Sequence, residues 1–308
     1  MRFAQRLNNV ETSAIRELFK LLGKPGIISF AGGFPDGAMF DVDGIREASA
    51  RVLANESGPA LQYGATEGYN PLREQLAHFM TSKGVSGMTP ESLIVTTGSQ
   101  QALDLIAKTL LDEGDVALVE APTFLATIQC FRLYGPQVLG VPIDADGVRV
   151  DLLEEMMVRH KPKLVYLIPT FGNPSGAMLS LERRLQLLAL AVEHRMVIVE
   201  DDPYGCLRWQ GDPIPHLAAL AHQVPGARDW VVHLGSFSKI IAPGLRVAWM
   251  LAPPAMRKAA ILAKQLDDLS NPGITQVAVA DYVDSGRLNQ HLPRIVQAYR
   301  ERAMAMMS

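Results

Sequence analysis

From about residue 92 onward, short runs of β-branched and apolar residues alternate with longer stretches of helical periodicity, and that alternation restricts the chain to a sheet layered with helices. Seven runs read as strands: Leu93–Thr97, Val116–Glu120, Gln137–Pro142, Leu164–Pro169, Val197–Asp201, Trp230–Gly235 and Arg246–Leu251. Several are apolar throughout, as strands covered on both faces should be, so the expected fold class is α/β with a mostly parallel seven-stranded sheet. Gln100–Leu111 sets Leu103, Ile106, Ala107, Leu110 and Leu111 on one helical face, and Leu181–Ala191 is a second, largely apolar helical stretch. Residues 1–40 are punctuated differently: a helical SAIRELFKLL precedes the Gly/Pro-rich loop FAGGFPDGAMF. The stretch Ile274–Ser308 reads as largely helical.

Composition narrows the partners. The 308 residues, 48% hydrophobic and 20% charged, supply apolar material for a large core. A net charge of −3 gives no long-range positive field, so neither nucleic acid nor an anionic membrane surface is implied. No apolar run reaches the roughly 18 residues of a membrane span, and MRFAQRLNNVET lacks a secretory apolar core, so the expected location is cytoplasmic. Cys130 and Cys206 are too few for a disulfide framework and read as inert thiols; no Cys/His cluster has metal-ligand spacing, and no metal is expected.

Open α/β sheets bind ligands beyond the carboxyl ends of their strands, which directs attention to five places. In LIVTTGSQQAL a strand runs into a helix, so Gly98, Ser99 and Gln100 stand where free backbone N–H groups can cradle a phosphate; a capped turn without ligand has the same sequence. In VIVEDDPY, Asp201 ends a buried strand and Tyr204 follows it by three. A buried carboxylate needs a cation or several donors, and a protonated cofactor ring nitrogen, a helix cap or a salt bridge would each serve. In HLGSFSKIIAPGLR, Lys239 lies just past a buried strand, where desolvation makes an amine nucleophilic, with Ser236, Ser238 and Arg246 as phosphate ligands nearby; the alternative is a solvated lysine. Asn173 in IPTFGNPSG and Phe124 in EAPTF complete the set, the first readable as an ordinary turn and the second as a core aromatic.

Rival motifs lack their partners. Ser236 and Lys239 satisfy S-x-x-K, but neither S-D-N nor K-T-G occurs, and G-x-G-x-x-G and G-K-[ST] are both missing.

The phrases SAIRELFKLL, IISFAGGFP, LQYGATEGYNPLRE, TTGSQQALDL, APTF, PTFGNPSG, VEDDPY and GSFSKIIAPGLRVAW, in that order, resemble the fold-type I aminotransferases along nearly the whole chain. The likeness is greatest to the subgroup with 2-aminoadipate, kynurenine and broad-specificity aromatic or branched-chain enzymes. It implies pyridoxal 5'-phosphate (PLP) held as a Schiff base by Lys239, which would also move the substrate α-proton, in a ping-pong exchange between an α-amino acid and a 2-oxo acid. It further implies Asp201 on the ring nitrogen, Asn173 and Tyr204 on the phenolic oxygen, and Phe124 on the ring face, where relatives usually have Tyr. Ser99, Gln100, Ser236, Ser238 and Arg246 would bind the phosphate, with Gly98 allowing close approach. Tyr63 would reach the neighbouring subunit's phosphate in a homodimer with shared sites. Arg16, Gly33 and Asn173 would contact the substrate.

The resemblance sets a layout of an arm with part of a small domain over 1–40, a large PLP-binding domain over 41–285, and the start of a small-domain segment over 286–308. Relatives continue past YRER and supply there an arginine for the substrate α-carboxylate, so a truncated small domain is expected here. Two other readings stand beside the enzyme: the aminotransferase-like effector domain of a transcriptional regulator, and an inactive PLP-binding fragment.

Overall fold

The computed structural model, which describes residues 1–9 and 33–308, turns each of the seven apolar runs into a strand of one sheet. They are β1 (Leu93–Thr96), β2 (Val116–Ala121), β3 (Gln137–Asp144), β5 (Leu164–Leu167), β6 (Val197–Asp202), β7 (Val231–Ser236) and β8 (Ala248–Leu251). The expectation of seven strands is corrected to eight by β4 (Gly147–Val148), which folds back on β3 with Val148 opposite Ile143. Two residues are too few to show a strand period in sequence.

The order is β1-β8-β7-β6-β5-β2-β3-β4. Pairing is parallel from β7 through β6, β5 and β2 to β3, whereas β8 runs antiparallel to both β7 and β1. The carboxyl ends of β1, β2, β5, β6 and β7 therefore share one edge with the entry to β8. The loops that leave this edge carry Gly98, Phe124, Asn173, Tyr204 and Lys239, and Arg246 enters from the same side.

The helices are α1 (Val42–Asn55), α2 (Ser57–Leu61), α3 (Asn70–Ser82), α4 (Ser99–Leu110), α5 (Leu125–Arg132), α6 (Val150–His160), α7 (Leu181–His194), α8 (Leu217–Leu220), α9 (Pro254–Asp267), α10 (Gly273–Asp284) and α11 (Arg287–Met307); α3 to α9 flank the sheet, whereas α10 packs on α1, α2, α3 and α11. Successive strand residues face opposite ways, and β6 shows the division. Val199 joins Leu103, Ile106, Phe131, Tyr166 and Ala260 in a core under α4, α5 and α9, while Ile198 joins Leu153, Leu187, Leu188 and Leu217 under α6, α7 and α8. A third core packs Leu72 and Leu76 of α3 against Phe237 and Trp249.

The expected helix Gln100–Leu111 is α4, begun one residue earlier at the Gly98 cap; Leu181–Ala191 is α7, extended to His194. The helical tail is two helices, because Gly286 at φ +75° turns the chain between α10 and α11. SAIRELFKLL, with Arg16, lies outside the described residues. Among those described, no helix is long and apolar enough to cross a membrane.

Candidate active site

At the β1–α4 turn, Gly98 adopts φ 76° and ψ 165°, a conformation essentially confined to glycine, and starts α4 with its first backbone N–H groups unpaired within the helix. Arg246 closes over this turn. Its Nη2 donates to the Thr97 carbonyl at 3.0 Å and its Nη1 to the Pro243 carbonyl at 3.4 Å. Ser236 Oγ accepts the Ser238 N–H at 3.0 Å and donates to Ser238 Oγ at 2.9 Å, and the Phe237 N–H bonds the Val247 carbonyl, which keeps the serine turn beside the Arg246 strand entry. Ser99, Gln100, Ser236, Ser238 and Arg246 thus occupy one edge of the sheet.

Behind the turn is a brace that no sequence motif marks. The Thr97 N–H donates to Gln101 Oε1 at 2.8 Å; Asn271 Nδ2 donates to the same oxygen at 3.0 Å and to the Thr97 hydroxyl; Gln101 Nε2 donates to Asp268 Oδ2 at 2.6 Å. Asn271 sits in an S-N-P sequence that by itself signals only a turn.

At the end of β6, Asp201 is buried. Its Oδ2 accepts the Tyr166 hydroxyl at 2.8 Å, and its Oδ1 has no partner among the described residues. Burial pushes this carboxyl up to about 7, against the lowering effect of the Tyr166 bond. The Tyr204 hydroxyl accepts from Asn173 Nδ2 at 3.1 Å, and burial raises the phenol's pKa. Lys239 Nζ stands 6.0 Å from the centre of the Tyr204 ring, makes no ion pair among the described residues, and has its pKa lowered by burial. An amine that sheds its proton easily, a phenol, an amide and a half-satisfied carboxylate therefore converge where the three loops meet.

Other expected residues are more exposed than this group. Phe124 caps α5 beyond β2 with 37% exposure. Tyr63 is 81% exposed rather than packed into the cluster. Gly33 is at φ +53°, and a Cβ placed on it would meet no atom of the described residues within 4 Å. Arg16 falls outside the described residues.

The opposite sheet face gathers Glu200, His216 and His233, with ligand-capable atoms within 4.8 Å of one another. Their spacing in sequence hides this, because they come from β6, the loop before α8, and β7. Glu200 accepts from the Leu217 and Ala218 N–H groups at 2.7 and 3.1 Å and from His233 Nδ1 at 3.0 Å, with Arg184 Nη1 at 3.9 Å. Burial works against its charge, yet His233 and the neighbouring cations bring its pKa below the ordinary carboxylate value. With Arg184 and His233 already compensating the carboxylate, the cluster acts as an ion-paired floor. Next to it, Asp202 Oδ1 accepts the Gly205 N–H at 2.9 Å and fixes the turn that follows Tyr204.

A family model described as aminotransferase class I and II matches residues 25–308. The chain is 43% identical over 307 residues to the 2-aminoadipate transaminase of Thermus thermophilus, covering 99% of this chain and 75% of that protein. It is 41% identical over 310 residues to aromatic-amino-acid aminotransferase 1 of Thermococcus litoralis, covering 99% and 73%. Its fold superposes with a TM-score of 0.89 on the crystal structure of the α-aminoadipate aminotransferase of Thermus thermophilus complexed with N-(5'-phosphopyridoxyl)-L-leucine, at 42% identity and coverage of 99% and 75%.

Proposed function

The chain belongs to the class I and II aminotransferases, PLP-dependent enzymes that move an amino group from an α-amino acid to a 2-oxo acid, and from that premise we propose which of its residues do the work. The observation that carries the assignment is a half-buried lysine that, among the described residues, has no counter-charge, set on the same edge as a buried carboxylate oxygen that has no donor among them. PLP asks for an amine at its aldehyde, an anion at its ring nitrogen, donors at its phenolic oxygen and an anion cradle at its phosphate. Lys239, Asp201 Oδ1, the Asn173–Tyr204 pair and the Gly98–Arg246 turn answer those needs in that order.

When bound, the cofactor supplies a sink for the electron pair left on the substrate α-carbon. Lys239 Nζ would hold it covalently and, once displaced by the substrate amine, accept the α-proton; a pKa lowered by burial enlarges the neutral fraction that can do so. Asp201 would keep the ring nitrogen protonated, and Tyr204 and Asn173 would steady the phenolic oxygen. Ser99, Gln100, Ser236, Ser238 and Arg246 would bind phosphate at the α4 N-terminus, where the helix dipole adds to their effect. Phe124 would lie on the ring face, and Arg16, Gly33 and Asn173 would meet the substrate.

The names of the relatives support amino donors with a long acidic or an aromatic side chain. The working unit is a homodimer in which Tyr63 serves the partner's phosphate, a role consistent with its exposure. The turn at Gly286 supports a boundary between a large domain over 41–285 and a small-domain segment from 286. The test is Lys239→Ala: wild-type protein with added PLP gains a visible band that borohydride fixes to the peptide containing Lys239, and the variant gains none. A band of equal strength in the variant overturns the assignment.

A further inference from the structure

Asp201 has a neighbour whose hydroxyl is otherwise unexplained. On β5, Tyr166 is wholly buried within an otherwise aliphatic strand, LVYL. Its ring stands edge-on to Phe131, with centroids 6.3 Å apart and planes at 88°, in the core beneath α4 and α5. A phenylalanine would fill the same space without burying a hydroxyl, which is costly unless bonded. Here the hydroxyl donates to Asp201 Oδ2 at 2.8 Å, leaving Oδ1 as the carboxylate atom without a partner among the described residues.

We propose that Tyr166 is a positioning residue for transamination, holding the Asp201 carboxylate by one oxygen so that the other stays free and charged for the cofactor ring nitrogen. The proposal rests on the assignment of Asp201 given above. Two consequences of the bond support it. A carboxylate fixed by one oxygen loses the freedom to turn, so the free oxygen keeps one direction. A bond donated to the charged form also opposes the drive of burial toward the neutral acid, and a neutral acid cannot balance a protonated ring. The other ionisable groups around the pair are Asp202 on the same strand, His233 on β7, Tyr204 beyond β6, and Glu120 on β2, which acts on Tyr166. Of these, Asp202 opposes the charged form of Asp201 and His233 favours it from a distance, whereas Tyr166 supplies the direct bond.

The test is a binding cycle on the full chain freed of cofactor. Dissociation constants are measured for PLP and for its analogue with carbon in place of the ring nitrogen, in wild type, Tyr166→Phe, Asp201→Ala and the double variant. Tyr166→Phe is expected to weaken PLP roughly 10- to 100-fold, the worth of a hydrogen bond to a charged group, while changing the carbon analogue less than about twofold. In the Asp201→Ala background it should change neither. Equal losses for both ligands, or no loss for PLP, overturn the proposal. If Asp201→Ala itself leaves the preference for PLP over the analogue intact, the Asp201 assignment fails first and takes this inference with it. If Tyr166→Phe does not fold, Phe131→Leu, which loosens the ring's seat, is expected to give a smaller loss confined to PLP; a loss shared by both ligands again overturns the idea.

Discussion

A Cβ on Gly98 would come within 2.1 Å of Nη2 and 2.6 Å of Cζ of Arg246, so the guanidinium lies in the space that glycine leaves open. The clash is with the far end of a flexible side chain, which can swing away into solvent. Gly98→Ala is therefore expected to fold, at a cost of about 1–3 kcal/mol for a side chain forced into a glycine-only backbone region, and to lose cofactor through the displaced Arg246. Titration of PLP should show affinity at least about tenfold weaker, the effect of one lost charge-assisted contact. Arg246→Ala should lose a similar amount, and the double variant little more than either alone. Fully additive losses would separate the two residues.

Gly235 presents the same shortage of space with a different consequence. A Cβ there would meet Trp249 Cζ2 at 2.1 Å and Cε2 at 2.2 Å, and Trp249 is its register partner across the β7–β8 ladder. The indole cannot step aside, because Phe79 packs it edge-on at 5.8 Å and Phe237 at 5.1 Å within the third core. Gly235→Ala should thus appear as lost stability: overpacking of about 1–3 kcal/mol, read from urea unfolding midpoints of the cofactor-free protein. An unchanged midpoint would mean that the strand pair has slack the packing does not suggest.

These two glycines mark how far sequence reading reaches. Most of the seven main strands are legible as apolar runs because burial selects such residues, although in β3 only Val141 is buried. Asp201 stands out as a candidate because it lies near the end of such a strand, and Lys239, Tyr204 and Asn173 because each lies beyond one. β4 is missed for its length. Tyr166 is missed because its meaning is a bond across 35 residues, and Asn271 because its bond to Gln101 spans 170. A tyrosine hydroxyl in an aliphatic strand is the one available sign, since a buried phenol requires a partner. The Glu200–His216–His233 floor leaves no sign in spacing, because the sheet brings three separate segments together.

Helix α9 buries Met256, Ala260 and Lys264 but exposes Leu262 and Leu266, four residues apart on one face. The exposed Leu269 follows, and Ser270 receives the Gly64 N–H at 3.4 Å, which sets the exposed Leu61 and Tyr63 next to this stripe. An apolar patch joined in this way marks an interaction surface, and the proposed homodimer fits it with a second copy of the chain. Leu266→Glu is expected to shift the protein toward monomer in sedimentation velocity and to weaken cofactor binding together with the loss of the partner's Tyr63. A dimer that survives this charge would move the interface elsewhere.

The cofactor-free protein carries a pH signature at Asp201. Burial raises this carboxyl to about 7 from an ordinary value of 3.8, so between those limits the folded chain keeps a proton that the unfolded chain has released. Stability from this group is therefore lost as pH rises through that window, and above about 7 the full cost of a buried charge remains. Asn at the same position keeps an oxygen for the Tyr166 hydroxyl and never ionises. The stability of Asp201→Asn relative to wild type should then grow between pH 5 and pH 8, by on the order of 3 kcal/mol. Glu120, raised by burial to about 7 as well, is common to both proteins and cancels in the comparison. With PLP bound, a protonated ring nitrogen beside Asp201 should favour the carboxylate and reverse the ranking at pH 8, so that wild type becomes the more stable. Denaturant titrations of both proteins at the two pH values, with and without PLP, give the readout. A difference independent of pH without cofactor would show that Asp201 is already charged and satisfied there, and an unchanged ranking with cofactor would remove it from the ring nitrogen.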